Sequence, residues 1–222
     1  FLETVSHELR TPMTGILGFL DLLEEETPPD ADKQREYLAV VRRRSADLMD
    51  RIREMLAAAE SDAPLRLGRV DVAALVDRAV AVVEDAHPEA GRRITATAPQ
   101  EVLATVDGAR LSQAVRELLV NAVKFGDPGT PIAVELAVDG DHARIAVANP
   151  GPDILPEEQT RLYDRFYRTP QATSRAIPGF GLGLPVVAAT AHAHGGEVHV
   201  ASGSGRTVFT LEVPIAPAPP ST

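Results

Sequence analysis

Two long stretches of this chain place apolar residues on one helical face, and a short break separates them. The first runs from about Leu2 to Glu26, and its apolar residues recur at steps of three and four: Leu2, Val5, Leu9, Met13, Ile16, Leu20 and Leu23. The second runs from about Lys33 to Glu60, and its heptad seam consists of Leu38, Val41, Ser45, Leu48, Ile52 and Met55. The break is Thr27-Pro28-Pro29-Asp30, and Asp30 or Asp32 is a candidate N-cap. This pattern predicts a helical hairpin. A kink near His7 is expected because Pro12 removes a backbone donor.

A hairpin of two helices encloses too little core to be stable alone. The regular seam therefore predicts dimerisation through residues 1–62 into a four-helix bundle. The alternative is that the same stripe packs on the second domain.

After Ser61-Asp62-Ala63-Pro64 the pattern changes, which predicts a linker over residues 63–68 and a second domain over 69–214. Helices are predicted over Asp71–Ala86, Ala109–Phe125, Pro156–Leu162 and Gly183–His194. Strands are predicted over Arg93–Ala98, Val102–Val106, Ile132–Val138, Ala143–Ala148, Glu197–Ala201 and Thr207–Val213. Antiparallel strands with helices between them indicate an α+β domain whose helices cover one sheet face. The Pro-rich tail, residues 215–222, is predicted to be disordered.

The net charge of −10 argues against general binding to nucleic acid or to an anionic membrane, because both require clustered Lys and Arg. No apolar run approaches the roughly 20 residues of a membrane span, and no signal peptide is recognisable. The absence of Cys fits a reducing compartment. We expect a cytoplasmic fragment of a longer protein, with any membrane anchor upstream of Phe1.

His7 lies off the apolar stripe and is predicted to face solvent. Glu8 beside it could hold the imidazole in one tautomer and favour loss of its proton, which would make His7 a nucleophile. The hydroxyl of Thr11 follows one helical turn later. Taken alone, these residues are explained more simply as an ordinary surface His-Glu pair.

Glu117, Asn121 and Lys124 are spaced i, i+4, i+7 and therefore share one helix face. An amide oxygen suits Mg²⁺, and an ammonium suits a phosphate, so the three could hold a metal-bound phosphate. A solvent-facing polar stripe is the alternative.

Two further segments could border such a site. The segment Asn149-Pro150-Gly151-Pro152-Asp153-Ile154 ends a strand, and Gly151 would let a ligand approach the backbone closely, although an ordinary turn has the same pattern. Leu162-Tyr163-Asp164-Arg165-Phe166-Tyr167-Arg168 precedes a polar stretch, Thr169 to Pro178, which reads as a mobile loop anchored by a small hydrophobic cluster.

The stretch Gly179-Phe180-Gly181-Leu182-Gly183-Leu184 opens a helix, so its N–H groups could face an anion. A dinucleotide-binding motif is excluded because a loop, and not a strand, precedes the glycines.

These motifs in this order resemble a bacterial two-component sensor histidine kinase over essentially the whole chain. They are His-Glu-Leu-Arg-Thr-Pro, Asn-Ala-x-Lys-Phe, a Gly turn after a strand, and Phe followed by a loop and Gly-x-Gly-Leu-Gly-Leu. The resemblance implies a dimerisation and phosphoacceptor hairpin, followed by an α/β sandwich of the gyrase, Hsp90 and histidine kinase ATPase type. It also implies ATP and Mg²⁺ as cofactors and the receiver domain of a response regulator as partner.

The resemblance assigns roles to individual residues. His7 would be phosphorylated, Glu8 would be its base or orienting acid, and Thr11 would place a water for dephosphorylation of the partner. Asn121 would bind Mg²⁺. Nucleotide contacts would come from Glu117, Asn121, Lys124, Phe125, Asn149, Gly151, Ile154, Gly179, Gly181, Leu182, Gly183, Leu184 and Thr207. Tyr167 to Pro178 would form a lid over ATP.

The first glycine motif departs from the family pattern Asp-x-Gly-x-Gly, since Asn149 replaces the Asp and Asp153 replaces the second Gly. A neutral acceptor in place of a charged one should cost on the order of 1 kcal/mol, about fivefold in affinity. Asp153 is expected to add negative charge near the pocket. Two rival functions follow: a member dominated by phosphatase activity that uses Thr11, and a dimeric scaffold that has lost ATP binding.

Overall fold

The computed structural model describes residues 2–24, 30–60, 64–88, 93–175, 177 and 179–216. Side chains within these ranges are described except at residues 2–9, 11, 46, 47, 50, 51 and 53–60. The chain divides into two compact units. One comprises Phe1–Ala59 with Pro178–Phe180, and the other comprises Glu60–Ile177 with Gly181–Thr222.

The first unit contains helices α1 (Leu2–Leu23) and α2 (Ala31–Glu60). Asp30 caps α2 by accepting a hydrogen bond from the backbone N–H of Lys33 at 2.9 Å, so the helix begins two residues before the predicted start. The rings of Phe19 and Tyr37 pack with their centroids 5.3 Å apart. The predicted hairpin is confirmed, and α1 continues through Pro12. The predicted end of the first helix at Glu26 lies outside the described residues.

The second unit contains the remaining helices and all the described strands. The helices are α3 (Val72–Ala86), α4 (Gly108–Phe125), α5 (Pro156–Gln159), α6 (Pro170–Ser174) and α7 (Gly183–Ala193). The strands are β1 (Gly68–Asp71), β2 (Ile94–Thr97), β3 (Leu103–Val106), β4 (Ile132–Asp139), β5 (His142–Pro150), β6 (Glu197–Gly203) and β7 (Arg206–Pro214).

Five strands form the main sheet in the order β2-β4-β5-β7-β6. The β2–β4 pair is parallel, and the other three pairs are antiparallel. Strands β1 and β3 form a separate antiparallel pair. The tight turn between β4 and β5 places Gly140 at φ 61°, as the Asp-Gly-Asp sequence predicts.

Helices α3, α4 and α7 cover one face of the sheet. Inward positions of β4 and β5 are buried while their neighbours are more exposed, and Leu118, Ile145 and Leu211 are among the largest fully buried side chains. Asp71 caps α3 as predicted, accepting from the N–H of Ala73 at 3.0 Å. The predicted α+β class and the single covered face are confirmed.

Two elements were not predicted, and one is shorter than predicted. Strand β1 begins at Gly68, the last residue of the predicted linker. It forms because it pairs with β3 in the register Gly68↔Val106 to Asp71↔Leu103, where the paired residues lie 38 to 32 positions apart in the sequence. Helix α6 lies in the stretch that was predicted to be a loop. Helix α5 ends at Gln159, before Leu162. Among the described residues, no helix is long and apolar enough to span a membrane.

Candidate functional site

Helix α4 carries three predicted site residues on one side. Its apolar face is buried and consists of Leu111, Ala114, Val115, Leu118, Leu119 and Ala122. Glu117, Asn121 and Lys124 follow the i, i+4, i+7 spacing on a different side of the helix, and all three are half-buried. The helix therefore aligns a carboxylate, an amide and an ammonium in one row.

The N-terminal end of α4 is anchored by Asp107, a buried residue. Its carboxylate accepts hydrogen bonds from the N–H groups of Arg66 at 2.9 Å and of Ala109 and Arg110 at 3.2 Å. Burial alone would raise the pKa of Asp107, but these N–H groups and the charge of Arg110 outweigh burial and hold the pKa below 3.8. The N–H of Asp107 donates to His194 Nε2 at 2.9 Å, which ties this end of α4 to the C-terminal end of α7.

Helix α7 begins beside the polar row of α4. Gly183 is its first residue, and a Cβ at this position would lie 2.7 Å from Glu117 Oε2. The absence of a side chain at Gly183 thus permits the close approach of the Glu117 carboxylate. The first N–H groups of a helix have no intrahelical acceptor and favour anions. A polar row and a helix N-terminus consequently face the same space.

The loop before α7 has a backbone that requires glycine. Gly181 has φ 70°, and a Cβ there would collide with the carbonyl oxygen of Tyr167. The N–H of Phe166 donates to the carbonyl oxygen of Gly181 at 3.0 Å, which fixes the loop against the Phe166–Tyr167 backbone. Leu182 is fully buried and Leu184 packs against the core, so both anchor the loop. Gly179 has φ 142° and belongs to the segment grouped with the first unit.

The segment after Phe166 contains a short helix in place of a loop without regular structure. Thr169 caps α6 by accepting from the N–H of Ala172 at 3.1 Å, with Pro170 as the first helical residue. The guanidinium of Arg168 donates to the carbonyl oxygens of Ala172 and Ile177. Helix α6 was not predicted, although Thr-Pro at a helix start is a recognisable signal, and the mobility of this stretch stays a prediction. Residues 176 and 178 of the predicted lid lie outside the described part of the chain.

The end of β5 packs against the C-terminal end of α4. Asn149 is buried, pairs across the strands with Thr207 of β7, and donates from Nδ2 to the carbonyl oxygen of Pro150 at 3.2 Å. A Cβ at Gly151 would lie 2.8 Å from the carbonyl oxygen of Phe125, so only glycine allows this approach. Four predicted site residues, Phe125, Asn149, Gly151 and Thr207, are thereby brought together.

The last predicted site residue of this region is held by the β6 strand. The N–H of Ile154 donates to Ser202 Oγ at 2.9 Å, and Ser202 Oγ also shares a hydrogen bond with Thr207 Oγ1 at 2.7 Å. Ser202 was missed by sequence reasoning because a serine in a strand carries no pattern that distinguishes it. Asp153 was expected to add charge near the pocket, and that effect stays a prediction. Its Oδ1 accepts a hydrogen bond from the N–H of Gly205 at 2.8 Å.

The structure describes the helical backbone at His7, Glu8 and Thr11, but the side chains of these three residues lie outside the described part. Among the described residues, no group of three or more His, Cys, Asp or Glu could hold a metal ion.

Two family models match the chain. Residues 106–217 match the family of histidine kinase-, DNA gyrase B- and HSP90-like ATPases. Residues 1–64 match the His kinase A phospho-acceptor domain. Together the two matches include the hairpin, the polar row of α4 and the glycine loop.

Comparison with individual proteins agrees with the family models. The probable sensor histidine kinase TcrY of Mycobacterium tuberculosis is 33% identical over 97% of this chain, which spans 45% of TcrY. The crystal structure of full-length ShkA in complex with AMPPNP is 29% identical, with a TM-score of 0.67 over 98% of this chain and 46% of ShkA. ThkA in complex with the response regulator protein TrrA has a TM-score of 0.72 over 95% of this chain and 60% of that one, at 22% identity. The chain thus spans about half the length of the first relatives that it matches.

Proposed function

The chain belongs to the sensor histidine kinase family, and on that premise we propose that it is the ATP-dependent, autophosphorylating core of a two-component system. The observation that carries the proposal is the approach of α4 to α7, where the Glu117 carboxylate lies beside Gly183 at the helix N-terminus. A row of carboxylate, amide and ammonium beside a helix N-terminus that favours anions supports a site for a nucleoside triphosphate.

We propose that ATP lies between this row and the glycine loop. Asn121 would give its amide oxygen to Mg²⁺, and Lys124 would meet the phosphates. Backbone N–H groups at Gly179, Gly181, Leu182, Gly183 and Leu184 would receive the phosphates, and Glu117 would orient the site from α4. When bound, Mg²⁺ neutralises charge on the phosphates. Phe125, Asn149, Gly151, Ile154 and Thr207 would form the end that takes the base.

His7 would accept the γ-phosphoryl group. One ring nitrogen forms the new N–P bond while the P–O bond to the ADP leaving group breaks, and the proton on the other ring nitrogen passes to Glu8. Transfer to an Asp carboxylate of a response regulator then breaks the N–P bond, forms an O–P bond and returns a proton to the ring. The complex of ThkA with TrrA supports a partner of this kind.

We propose that residues 1–62 dimerise, that 63–68 form a linker and that 69–214 bind ATP. The division of the chain near Ala59 and the family matches over 1–64 and 106–217 support these boundaries. The tail predicted over 215–222 starts too early, because the N–H of Ile215 donates to the carbonyl oxygen of Asp141 at 2.8 Å and its carbonyl oxygen accepts from the N–H of Thr105 at 2.9 Å. The exposed apolar side chains of the hairpin, such as Leu17 and Leu38, support a dimer. A cytoplasmic location fits the requirement for ATP.

Incubation with γ-labelled ATP tests the kinase activity. We expect acid-labile label on the wild type and none on His7→Ala. The matched control is His199→Ala, because His199 is an exposed histidine that lies 3.3 Å from the carboxylate of Glu197. This control should be labelled like the wild type. Label that survives on His7→Ala would show that another residue is the acceptor.

Thr11 follows His7 by four positions on α1, the spacing of neighbouring positions on one helix face. We propose that Thr11 places a water for dephosphorylation of the regulator. Thr11→Ala should slow the loss of phosphate from a pre-phosphorylated regulator while autophosphorylation remains unchanged. Equal rates of dephosphorylation would remove Thr11 from this role.

A further inference from the structure

The turn between β6 and β7 is hydrogen-bonded to the loop after β5 through the N–H and the carbonyl oxygen of Gly205. Ser204 and Gly205 have φ 56° and 74°, the left-handed pair that a two-residue hairpin turn requires. The N–H of Gly205 donates to Asp153 Oδ1 at 2.8 Å, and its carbonyl oxygen accepts from the N–H of Gly151 at 3.0 Å. The turn and the loop are therefore held by a reciprocal pair of hydrogen bonds.

Ser202 of β6 makes a second connection between the loop after β5 and the β6–β7 hairpin. Ser202 Oγ accepts from the N–H of Ile154 at 2.9 Å and bonds to Thr207 Oγ1 at 2.7 Å. Thr207 stands opposite Asn149 in the β5–β7 register. The position of Asp153 is thus connected, through the turn and through Ser202, to the buried pair of Asn149 and Thr207.

The loop has little freedom on its other side. A Cβ at Gly151 would lie 2.8 Å from the carbonyl oxygen of Phe125, and the N–H of Asp127 donates to the carbonyl oxygen of Pro150 at 2.9 Å. The end of α4 bounds the loop on this side, and the β6–β7 turn bounds it on the other. Loss of the Asp153 bond would weaken the boundary at the β6–β7 turn, where the bonds of Gly151 and Ile154 would remain, and would leave the boundary at α4 unchanged.

We propose that Asp153 is a positioning residue for the base-binding end of the nucleotide site, an inference that rests on the proposed function. Its carboxylate holds the β6–β7 turn against the loop and thereby fixes the Asn149–Thr207 pair. Asp153 acts as a hydrogen-bond acceptor for a backbone N–H, an interaction that a carboxylate makes stronger than a neutral group does. Asp153 stands where the family pattern has its second Gly, and its hydrogen bond to Gly205 restrains a loop that a glycine at this position would leave more flexible.

The variants Asp153→Ala and Asp153→Asn separate this role from a simple effect of charge. Alanine removes the acceptor, whereas asparagine retains an oxygen that can accept from Gly205 without the charge. If Asp153 acts by position, nucleotide affinity falls in the order wild type, Asn, Ala. If Asp153 instead acts by repelling the phosphates, both variants bind nucleotide more tightly than the wild type, and the proposal is overturned.

The experiment is calorimetric titration of the full chain with AMPPNP and Mg²⁺. We expect Asp153→Ala to raise Kd about three- to tenfold, the loss that corresponds to one hydrogen bond of ordinary net strength. In autophosphorylation, KM for ATP should rise while kcat stays unchanged. The matched control is Asp141→Ala, because Asp141 is an exposed acid in the β4–β5 turn at the opposite end of the sheet and is paired with His142. Its Kd should equal that of the wild type.

Hydrogen exchange of the Gly205 amide gives a readout without nucleotide. Exchange should be faster in Asp153→Ala than in the wild type and intermediate in Asp153→Asn. A wild type that shows no saturable binding of AMPPNP would overturn the proposed function itself. Saturable wild-type binding with an unchanged Kd in Asp153→Ala would overturn the positioning role alone.

Discussion

The hairpin and the α/β unit differ in how completely each buries its apolar side chains. In the α/β unit, 1% of the surface of Leu118 is exposed to solvent, and three helices cover the inward side of the sheet. In the hairpin, the solvent-exposed fraction is 55% for Leu17 and 47% for Leu38. The α/β unit therefore has a core of its own, whereas the hairpin has an exposed apolar surface of the kind that the proposed dimer would bury.

The same substitution in both regions tests this difference most strongly. Leu118→Ala should lower the free energy of unfolding of the α/β unit by about 2–5 kcal/mol, because it removes buried methyl groups and leaves a cavity. Leu17→Ala should leave the unfolding transition of the α/β unit unchanged, since Leu17 lies in the other unit. Urea unfolding, followed by a probe in the α/β unit, measures both. Equal losses from the two variants would show that the units do not have separate cores.

Self-association tests the other half of the comparison. Leu38→Glu should raise the dissociation constant of the dimer by roughly tenfold or more, because burial of a leucine contributes about 1.5–3 kcal/mol. Sedimentation velocity over a range of protein concentrations measures this constant. Ala39→Glu is the matched control, because Ala39 is exposed on the same helix but lies off the seam. If both variants weaken the dimer equally, the seam of α2 is not at the interface.

The sequence predicted most elements whose signals are local. Asp71 as an N-cap, the Asp-Gly-Asp turn and the glycines at the start of α7 each depend on a few adjacent residues, and each is confirmed. The hairpin was predicted from its periodicity in the same way. Where the local signal was overlooked, at Thr169-Pro170, the error concerned one short helix.

Contacts between distant residues could not be predicted from sequence in this way. Strand β1 exists because it pairs with β3, and a four-residue segment of mixed polarity shows no pattern that reveals a partner. Asp153 was predicted to affect the pocket through its charge, because the N–H of Gly205, 52 residues further along, was not known to lie beside it. The polar row of α4 was predicted, but the approach of Glu117 to Gly183 depends on helix packing.

The stability of the α/β unit also depends on one buried carboxylate. Asp107→Ala should cost about 1 kcal/mol or more at neutral pH, because it removes the N-cap of α4 and the acceptor for Arg66. Since the pKa of Asp107 is lowered in the folded protein, its contribution is present above pH 3.8 and is lost as the pH falls through the lower folded pKa. The difference between wild type and variant should shrink below pH 3.8.

Urea unfolding of the α/β unit at neutral and acidic pH measures this contribution. Asp164→Ala is the control, because the Asp164 carboxylate is exposed and lies 3.8 Å from an equally exposed Arg161. An exposed ion pair of this kind contributes little to stability. A cost for Asp107→Ala that stays constant with pH would show that the ionised carboxylate is not the stabilising form.

The smallest change in stability is expected at Tyr163, because its hydroxyl is buried in the α/β unit without a hydrogen-bond partner among the described residues. Burial also raises the pKa of Tyr163 to about 12. Tyr163→Phe should therefore change the free energy of unfolding by less than about 1 kcal/mol near neutral pH. We expect a small increase, because the substitution removes a buried hydroxyl and breaks no hydrogen bond.

At alkaline pH the two proteins should differ more. Because the pKa of Tyr163 is raised from 10.0 in the folded protein, the wild type loses stability as the pH rises from 10.0 toward 12, and Tyr163→Phe should not show that loss. Urea unfolding at pH 7 and pH 11 measures both effects. A loss well above 1 kcal/mol at neutral pH would show that the hydroxyl has a partner, and that even this part of the core is satisfied.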